Sequence, residues 1–177
     1  VTRPDLLETM VTGLRIEGGG VDISATGPVS RIDAKAKIWI DDVSFQDHRV
    51  GRIETVVTAA LAETVKAAAT ITASGLDLPT VPAGAIGGTI TGGAKAVLSG
   101  RSLSLSDLRA RSGPAQLTGD AAVNLGTSTA DLSLAVSHDA IGGLTPILDR
   151  GRVDADIHGR FDGRFLALQI GGRLADI

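Results

Sequence analysis

The stretch Arg31-Ile32-Asp33-Ala34-Lys35-Ala36-Lys37-Ile38-Trp39-Ile40 alternates apolar and charged side chains until Trp39. Ile32, Ala34, Ala36, Ile38 and Ile40 fall on one parity; Arg31, Asp33, Lys35 and Lys37 fall on the other. A period of two describes an extended strand with one wet and one apolar face. A helix, advancing 100° per residue, would scatter the lysines among the apolar positions. The reading is therefore a half-buried β-strand.

Working outward, the same alternation returns with other residues. Towards the N-terminus lie Leu14 and Ile16, then Gly18-Gly19-Gly20, then Val21, Ile23 and Ala25. The triple glycine predicts a turn or bulge between two short runs. On the C-terminal side the apolar phase steps by one at Asp41-Asp42, with Val43 and Phe45 continuing. Such a step predicts a bulge, because otherwise the apolar set would cross to the wrong face. Gln46-Asp47-His48-Arg49 reads as a polar turn, and Val50 to Leu61 as the next strand.

Thr64 to Leu76 places Val65, Ala67, Ala69, Ile71 and Ala73 on one face, so pattern overrides the poor strand propensity of alanine. Residues 79–93, rich in Gly and Pro, read as a loop or short irregular strands and the candidate hinge. Regularity resumes with Ala94, Ala96 and Leu98, a turn, Leu103 and Leu105, and, after another phase slip, Leu108 and Ala110. Ala115 to Leu125 and Ala130 to Val136 form a strand pair. Over Asp139 to Arg150 the period changes: Ile141, Leu144, Ile147 and Leu148 recur at helical spacing. Pro146 fits the first position of a single-turn helix capped by Thr145, with Gly151 ending it. Val153 to Phe161 and Leu166 to Ile170 close the count at roughly ten to twelve strands.

The 177 residues suffice for one domain. Net charge is −3 with the signs interspersed, which excludes the basic stripe of a nucleic-acid module. Aromatic content of 2% denies stacking platforms and bulky core residues alike. Without cysteine there are no disulfides or thiolate metal sites. No apolar run approaches the roughly 18 residues of a spanning helix. The chain is read as one segment, residues 1–177, of something longer.

Candidate chemistry is thin. Asp154, Asp156, His158 and Arg160 share one face of a strand, but metal ligands normally converge from several elements. Asp47-His48 and His138-Asp139 read as turn residues, and no Gly-x-Ser-x-Gly elbow accompanies them. Gly87 to Lys95 echoes a phosphate loop but lacks its Gly-Lys-Ser/Thr ending. Lys35 and Lys37 beside Asp33 read as a solvated face, and Trp39 as cover for a neighbouring loop or bulge. No enzyme, cofactor or metal is expected.

A sheet apolar on one side must cover that side, and one marginal helix cannot do so. Inward positions are repeatedly Ala, Gly and Val, so two walls either pack very closely or leave room for an apolar guest. The long alternating strands, the run Ala67-Ala68-Ala69-Thr70-Ile71-Thr72-Ala73-Ser74-Gly75-Leu76-Asp77-Leu78-Pro79, and the Leu144-Thr145-Pro146-Ile147-Leu148 segment leading to Gly159 resemble the TamB family. These are the inner-membrane-anchored subunits of the bacterial translocation and assembly module, within the AsmA-like group. The resemblance implies a β-taco, a long curved sheet forming an open trough with an apolar interior.

It further implies a periplasmic place in a Gram-negative cell, the outer-membrane barrel partner TamA, and a role in outer-membrane biogenesis. The expected cargo is phospholipid acyl chains or nascent outer-membrane β-barrel strands. The expected trough lining is Ile32, Ala34, Ala36, Ile38, Ile40, Val65, Ala67, Ala69, Ile71, Leu117, Val123, Leu132, Leu134, Ile157 and Leu168. Two rivals are a structural or adhesive β-solenoid, which needs a fixed repeat, and an all-β carbohydrate-active enzyme, which needs convergent carboxylates and aromatic platforms.

Overall fold

The computed structural model describes residues 13–81, 85–140 and 151–175. They form ten strands: β1 (Leu14–Thr26), β2 (Ile32–Phe45), β3 (His48–Leu61), β4 (Thr64–Asp77), β5 (Thr89–Ser99), β6 (Ser102–Ser112), β7 (Ala115–Asn124), β8 (Thr129–His138), β9 (Arg152–Phe161) and β10 (Leu166–Ala175). Their order in the sheet is their order in the chain, and every neighbour pair is antiparallel. Tight reversals explain this meander. Phe45 pairs with His48 and Ser99 with Ser102, so only two residues turn the chain at each place. Gly100 takes φ +56 there, which only glycine adopts at no cost.

β1 and β10 do not pair with each other, so the sheet stays open. The chain is therefore all-β in the β-taco manner, a long one-layered amphipathic sheet rather than a sandwich or closed barrel. Among the described residues no second layer covers it: Ala85 is the one buried apolar residue there, and no large side chain is fully enclosed. The accessible surface is 11828 Å². A closed globular monomer of 18.0 kDa would expose only about 8,000 Å².

Four expectations are corrected, the bulge at Asp41-Asp42 among them. Gly18-Gly19-Gly20 is neither turn nor bulge but the middle of β1, opposite Asp41, Ile40 and Trp39. A Cβ on Gly20 would strike the Trp39 indole at 2.4 Å, so the glycine is there to lie beneath that ring. His48 opens β3 and His138 ends β8, so neither is a turn residue. Of the loose segment 79–93, residues from Thr89 onward belong to β5. The proposed helix over 139–150 lies outside the described residues from 141 onward.

The two phase slips have different causes. The one near Leu105 is a true bulge: register shifts between Leu105 and Leu108, and between Gly93 and Lys95 on β5. Asp107, at φ +53, is the extra residue. The slip at Asp41-Asp42 leaves the register unchanged on both sides. Instead the ladder skips one level in three successive pairings, at Glu17, Asp42, Gly51 and Gly75. Asp42 has φ +50 and Gly75 φ +66. Four strands thus turn over together along one transverse crease, and the apolar set stays on one face.

Candidate functional site

Partners in an unshifted antiparallel ladder project to the same side, so the pairings can be read across the sheet as rows. One row runs Ala25–Ala34–Ala59–Ala67–Ala96–Leu105–Ala121–Leu132–Gly159–Leu168. Four residues along each strand, five on the bulged β6, a second runs Val21–Ile38–Thr55–Ile71–Gly92–Ala110–Leu117–Val136–Ala155–Gly172. Between them lies Ile23–Ala36–Val57–Ala69–Ala94, continued beyond the bulge by Leu108–Gly119–Leu134–Ile157–Ile170. None of these rows contains an Asp, Glu, Lys or Arg. With strands about 4.8 Å apart, the nine intervals between the ten strands make tracks about 43 Å long.

All fifteen residues expected to line the trough fall on this uncharged face. Ile32, Val65 and Val123 belong to its upper margin with Leu98 and Leu103, and Ile40 to its lower margin with Ile53 and Ala73. Leu105, Leu108, Val57 and Ile170 share the face and were absent from the expected set. The face is rugged because bulky residues lean over glycines. A Cβ on Gly159 would lie 3.1 Å from Leu168 Cδ2 and 3.5 Å from Leu132 Cβ. A Cβ on Gly92 would lie 3.1 Å from Ile71 Cγ2. At this level of the sheet, depressions of about 720 Å³ and 590 Å³ cross β6–β10 and β1–β5 respectively.

The opposite face carries the charge. Lys37 reaches Glu54 at 3.1 Å, Arg52 reaches Asp41 at 2.8 Å, and Lys95 reaches the bulged Asp107 at 2.6 Å. Lys37 holds the Glu54 carboxyl below the usual carboxylate range, and Lys95 does the same for Asp107. Asp154 takes Arg152 at 2.7 Å and Arg173 at 3.4 Å, which lowers it likewise. On β9 the Asp154 carboxylate is paired with two guanidiniums, and His158 Nδ1 lies 3.3 Å from Ser133 Oγ. No cluster of three metal-ligating residues occurs among the described residues.

No family model, curated protein or solved structure matches the chain. The site must be judged on its own geometry.

Besides Thr55 in the second row, two nearly buried polar residues stand on the uncharged face: Ser112, which sequence reading passed over, and His138, which it took as a turn residue. Ser112 and His138 are 7% exposed and flank Ala115 across the lower margin. Ser112 Oγ accepts the Gly87 N–H at 3.1 Å and lies 2.9 Å from the Thr89 carbonyl oxygen. His138 Nε2 lies 2.8 Å from the Ala85 carbonyl oxygen, and its Nδ1 accepts the Ala140 N–H at 3.3 Å. Those partners assign the neutral ring with its proton on Nε2. Both residues fasten the end of the β4–β5 connection to the trough margin. The signal was available: each occupies an apolar phase position, His138 after Leu132, Leu134 and Val136, and Ser112 after Leu108 and Ala110.

Proposed function

We propose that the uncharged face is a conduit for phospholipid acyl chains, in a periplasmic, non-enzymatic protein of the TamB-like kind acting in outer-membrane biogenesis with a TamA-like barrel. The observation that carries this reading is the continuity of the rows. From β1 to β10 no charged side chain interrupts them, and among the described residues no second layer covers them.

An exposed apolar surface of this extent on a protein marks a place where something apolar binds. A charge in the track would have to be stripped of water by each passing chain; its absence removes that barrier along the whole length. Each methylene laid against the face is worth about 0.8 kcal/mol. Because that gain is non-directional and spread over many small residues, a chain can slide from row to row without a single deep stop. Shielding of amphipathic barrel strands uses the same surface. The rival solenoid would stack parallel coils, whereas all pairings here are antiparallel.

The test is photo-crosslinking in living cells with the reactive group at Ala36, and at Lys37 as control. Ala36 lies on the uncharged face and Lys37 next to it on the charged one. Lipid adducts at Ala36 and none at Lys37 are expected. Protein adducts at Ala36 in place of lipid would replace the conduit with a shield for nascent strands. Adducts at neither would end both readings.

A further inference from the structure

In a meander the chain reverses alternately at two margins. The connections after β1, β3, β5, β7 and β9 make the upper margin, and all five lie within the described residues. Outside β1 and β10, the large apolar side chains more than half exposed are Val29, Leu125 and Phe165, at 98%, 57% and 74%. Each stands in one of these upper turns, and each has an arginine beside it. Arg31 follows Val29 by two residues, and Arg164 directly precedes Phe165. Arg101, in the β5–β6 turn, accepts the Leu125 N–H on its carbonyl oxygen at 2.7 Å. The lower turn between β2 and β3, by contrast, is the polar pair Gln46-Asp47.

The last three upper turns form one patch. A Cβ on Gly126 would lie 3.1 Å from Arg101 Cδ, and one on Gly163 would lie 3.5 Å from the Ser128 carbonyl oxygen. The β5–β6, β7–β8 and β9–β10 turns therefore touch in series. Side chains fix their shape. Asn124 Oδ1 accepts the N–H groups of Gly126 and Thr127 at 2.9 and 3.1 Å, and Asp162 Oδ1 accepts those of Arg164 and Phe165 at 3.0 and 2.8 Å. The one carboxylate in the patch is thus turned to its own backbone. Neither Arg101 nor Arg164 is ion-paired among the described residues. Just below, the row Val123–Ala130–Phe161–Leu166 joins the patch to the uncharged face.

We infer that this patch docks on a lipid bilayer bearing anionic headgroups. Leu125 and Phe165 enter the boundary between headgroups and acyl chains, and Arg101 and Arg164 meet the phosphates. An apolar tip with a guanidinium beside it matches that layer, which is apolar on one side and charged on the other. A guanidinium also fits a phosphate with two parallel hydrogen bonds. Two tips are far too few to cover the roughly 800 Å² a side that a stable protein partner takes. A bilayer sets no such minimum, because each tip gains by its own transfer and each cation by its own attraction to the surface. The inference rests on the turns and is independent of what the uncharged face carries. Crosslinking at Ala36 reads the face; vesicle binding at Leu125 reads the turns.

The experiment mixes the chain with vesicles of equal parts phosphatidylglycerol and phosphatidylcholine, and with vesicles of phosphatidylcholine alone. The chain has no cysteine, so Leu125→Cys and, on the lower margin, Asp47→Cys each take a single polarity-sensitive fluorophore. Both positions are exposed turn residues, so the fold tolerates the labels. Emission at position 125 is expected to shift to the blue on the anionic vesicles, less so as salt rises, while emission at position 47 stays put. With the label at position 125, Phe165→Ser should weaken binding roughly tenfold on both vesicle types. Arg101→Gln combined with Arg164→Gln should weaken it roughly tenfold on the anionic vesicles alone. A shift at both labelled positions, a shift at neither, or variants that bind as tightly as the parent chain would each overturn the docking patch.

Discussion

His138 Nε2 and the Ala85 carbonyl oxygen, fifty-three residues apart in sequence, meet at 2.8 Å. In a sheet where strands otherwise touch their chain neighbours, this bond and those of Ser112 reach outside the ladder. His138→Ala would leave the Ala85 carbonyl without this partner at a buried position. An unsatisfied buried group costs about 1–3 kcal/mol, against about 1 kcal/mol net for an ordinary exposed bond. His138→Ala should therefore lower stability by about 2 kcal/mol, and His158→Ala, on the exposed outer face, by well under 1 kcal/mol. Urea unfolding measures both. Amide exchange at Gly87 should rise in Ser112→Ala, whose lost hydroxyl accepts that N–H. Unchanged protection would show that the connection is held by other means.

The crease makes a second prediction. Gly75 combines φ +66 with a missing rung, and a Cβ there would stand 3.2 Å from both Cα and N of Gly51 across the ladder. Gly100 shares the positive φ, at +56, with nothing within 4 Å of its absent Cβ. Gly100→Ala should cost about 1–2 kcal/mol from the left-handed backbone alone. Gly75→Ala should cost more, because the backbone contact adds to that strain and to the turn-over of four strands. Equal losses in thermal unfolding would mean that the crease is not tightly packed.

How much of this was legible can be judged from Ile40 and Val43. Alternation located β2, β4, β7 and β8 and put all fifteen lining candidates on one face, because a period of two is local information. The step between Ile40 and Val43 was legible as an irregularity and misassigned as a bulge. A bulge and a crease look the same in one strand; they differ in whether the partners step too, and the pairing of β1, β3 and β4 is not written locally. Gly20 failed for a related reason. Its smallness answers Trp39 on the neighbouring strand, so reading β1 alone offered only a turn or a bulge. The segment from Thr89 to Gly93 was read as loop or short irregular strands on its glycines, whose lack of Cβ in fact admits Ile71 over Gly92.

Acid should loosen β10 first. Asp154 on β9 is 21% exposed at its side chain and binds Arg152 on its own strand and Arg173 on β10. The Arg152 hydrogen bond, and then Arg173, hold its carboxyl below the usual range. A carboxyl depressed in the fold stabilises the fold above its unfolded value near 3.9, and that contribution is lost as pH falls through the lower folded value. Exchange protection of β10 should therefore fall below about pH 4. Asp154→Asn should show the weaker protection already at neutral pH, with a flatter acid dependence. If the parent and Asp154→Asn profiles coincide, the bridge does not hold the edge.

The sharpest test of the face as a functional surface compares adjacent residues. Ala36 stands in the middle row between Ile23 and Val57, and Lys37 stands on the charged face at 3.1 Å from Glu54. An aspartate at position 36 puts a charge among half-buried apolar side chains with no cation on that face to answer it. Its desolvation costs about 1–3 kcal/mol in the folded chain, and more when an apolar guest removes the remaining water. An aspartate at position 37 loses an exposed ion pair and sets a like charge near Glu54, on a surface that stays wet whether or not a guest is bound. Ala36→Asp should therefore abolish lipid adducts at a reporter placed farther along the same track, such as Leu134, while Lys37→Asp should leave them within about twofold. Matching losses in the two variants would mean that the effect is one of folding and that the uncharged rows carry nothing.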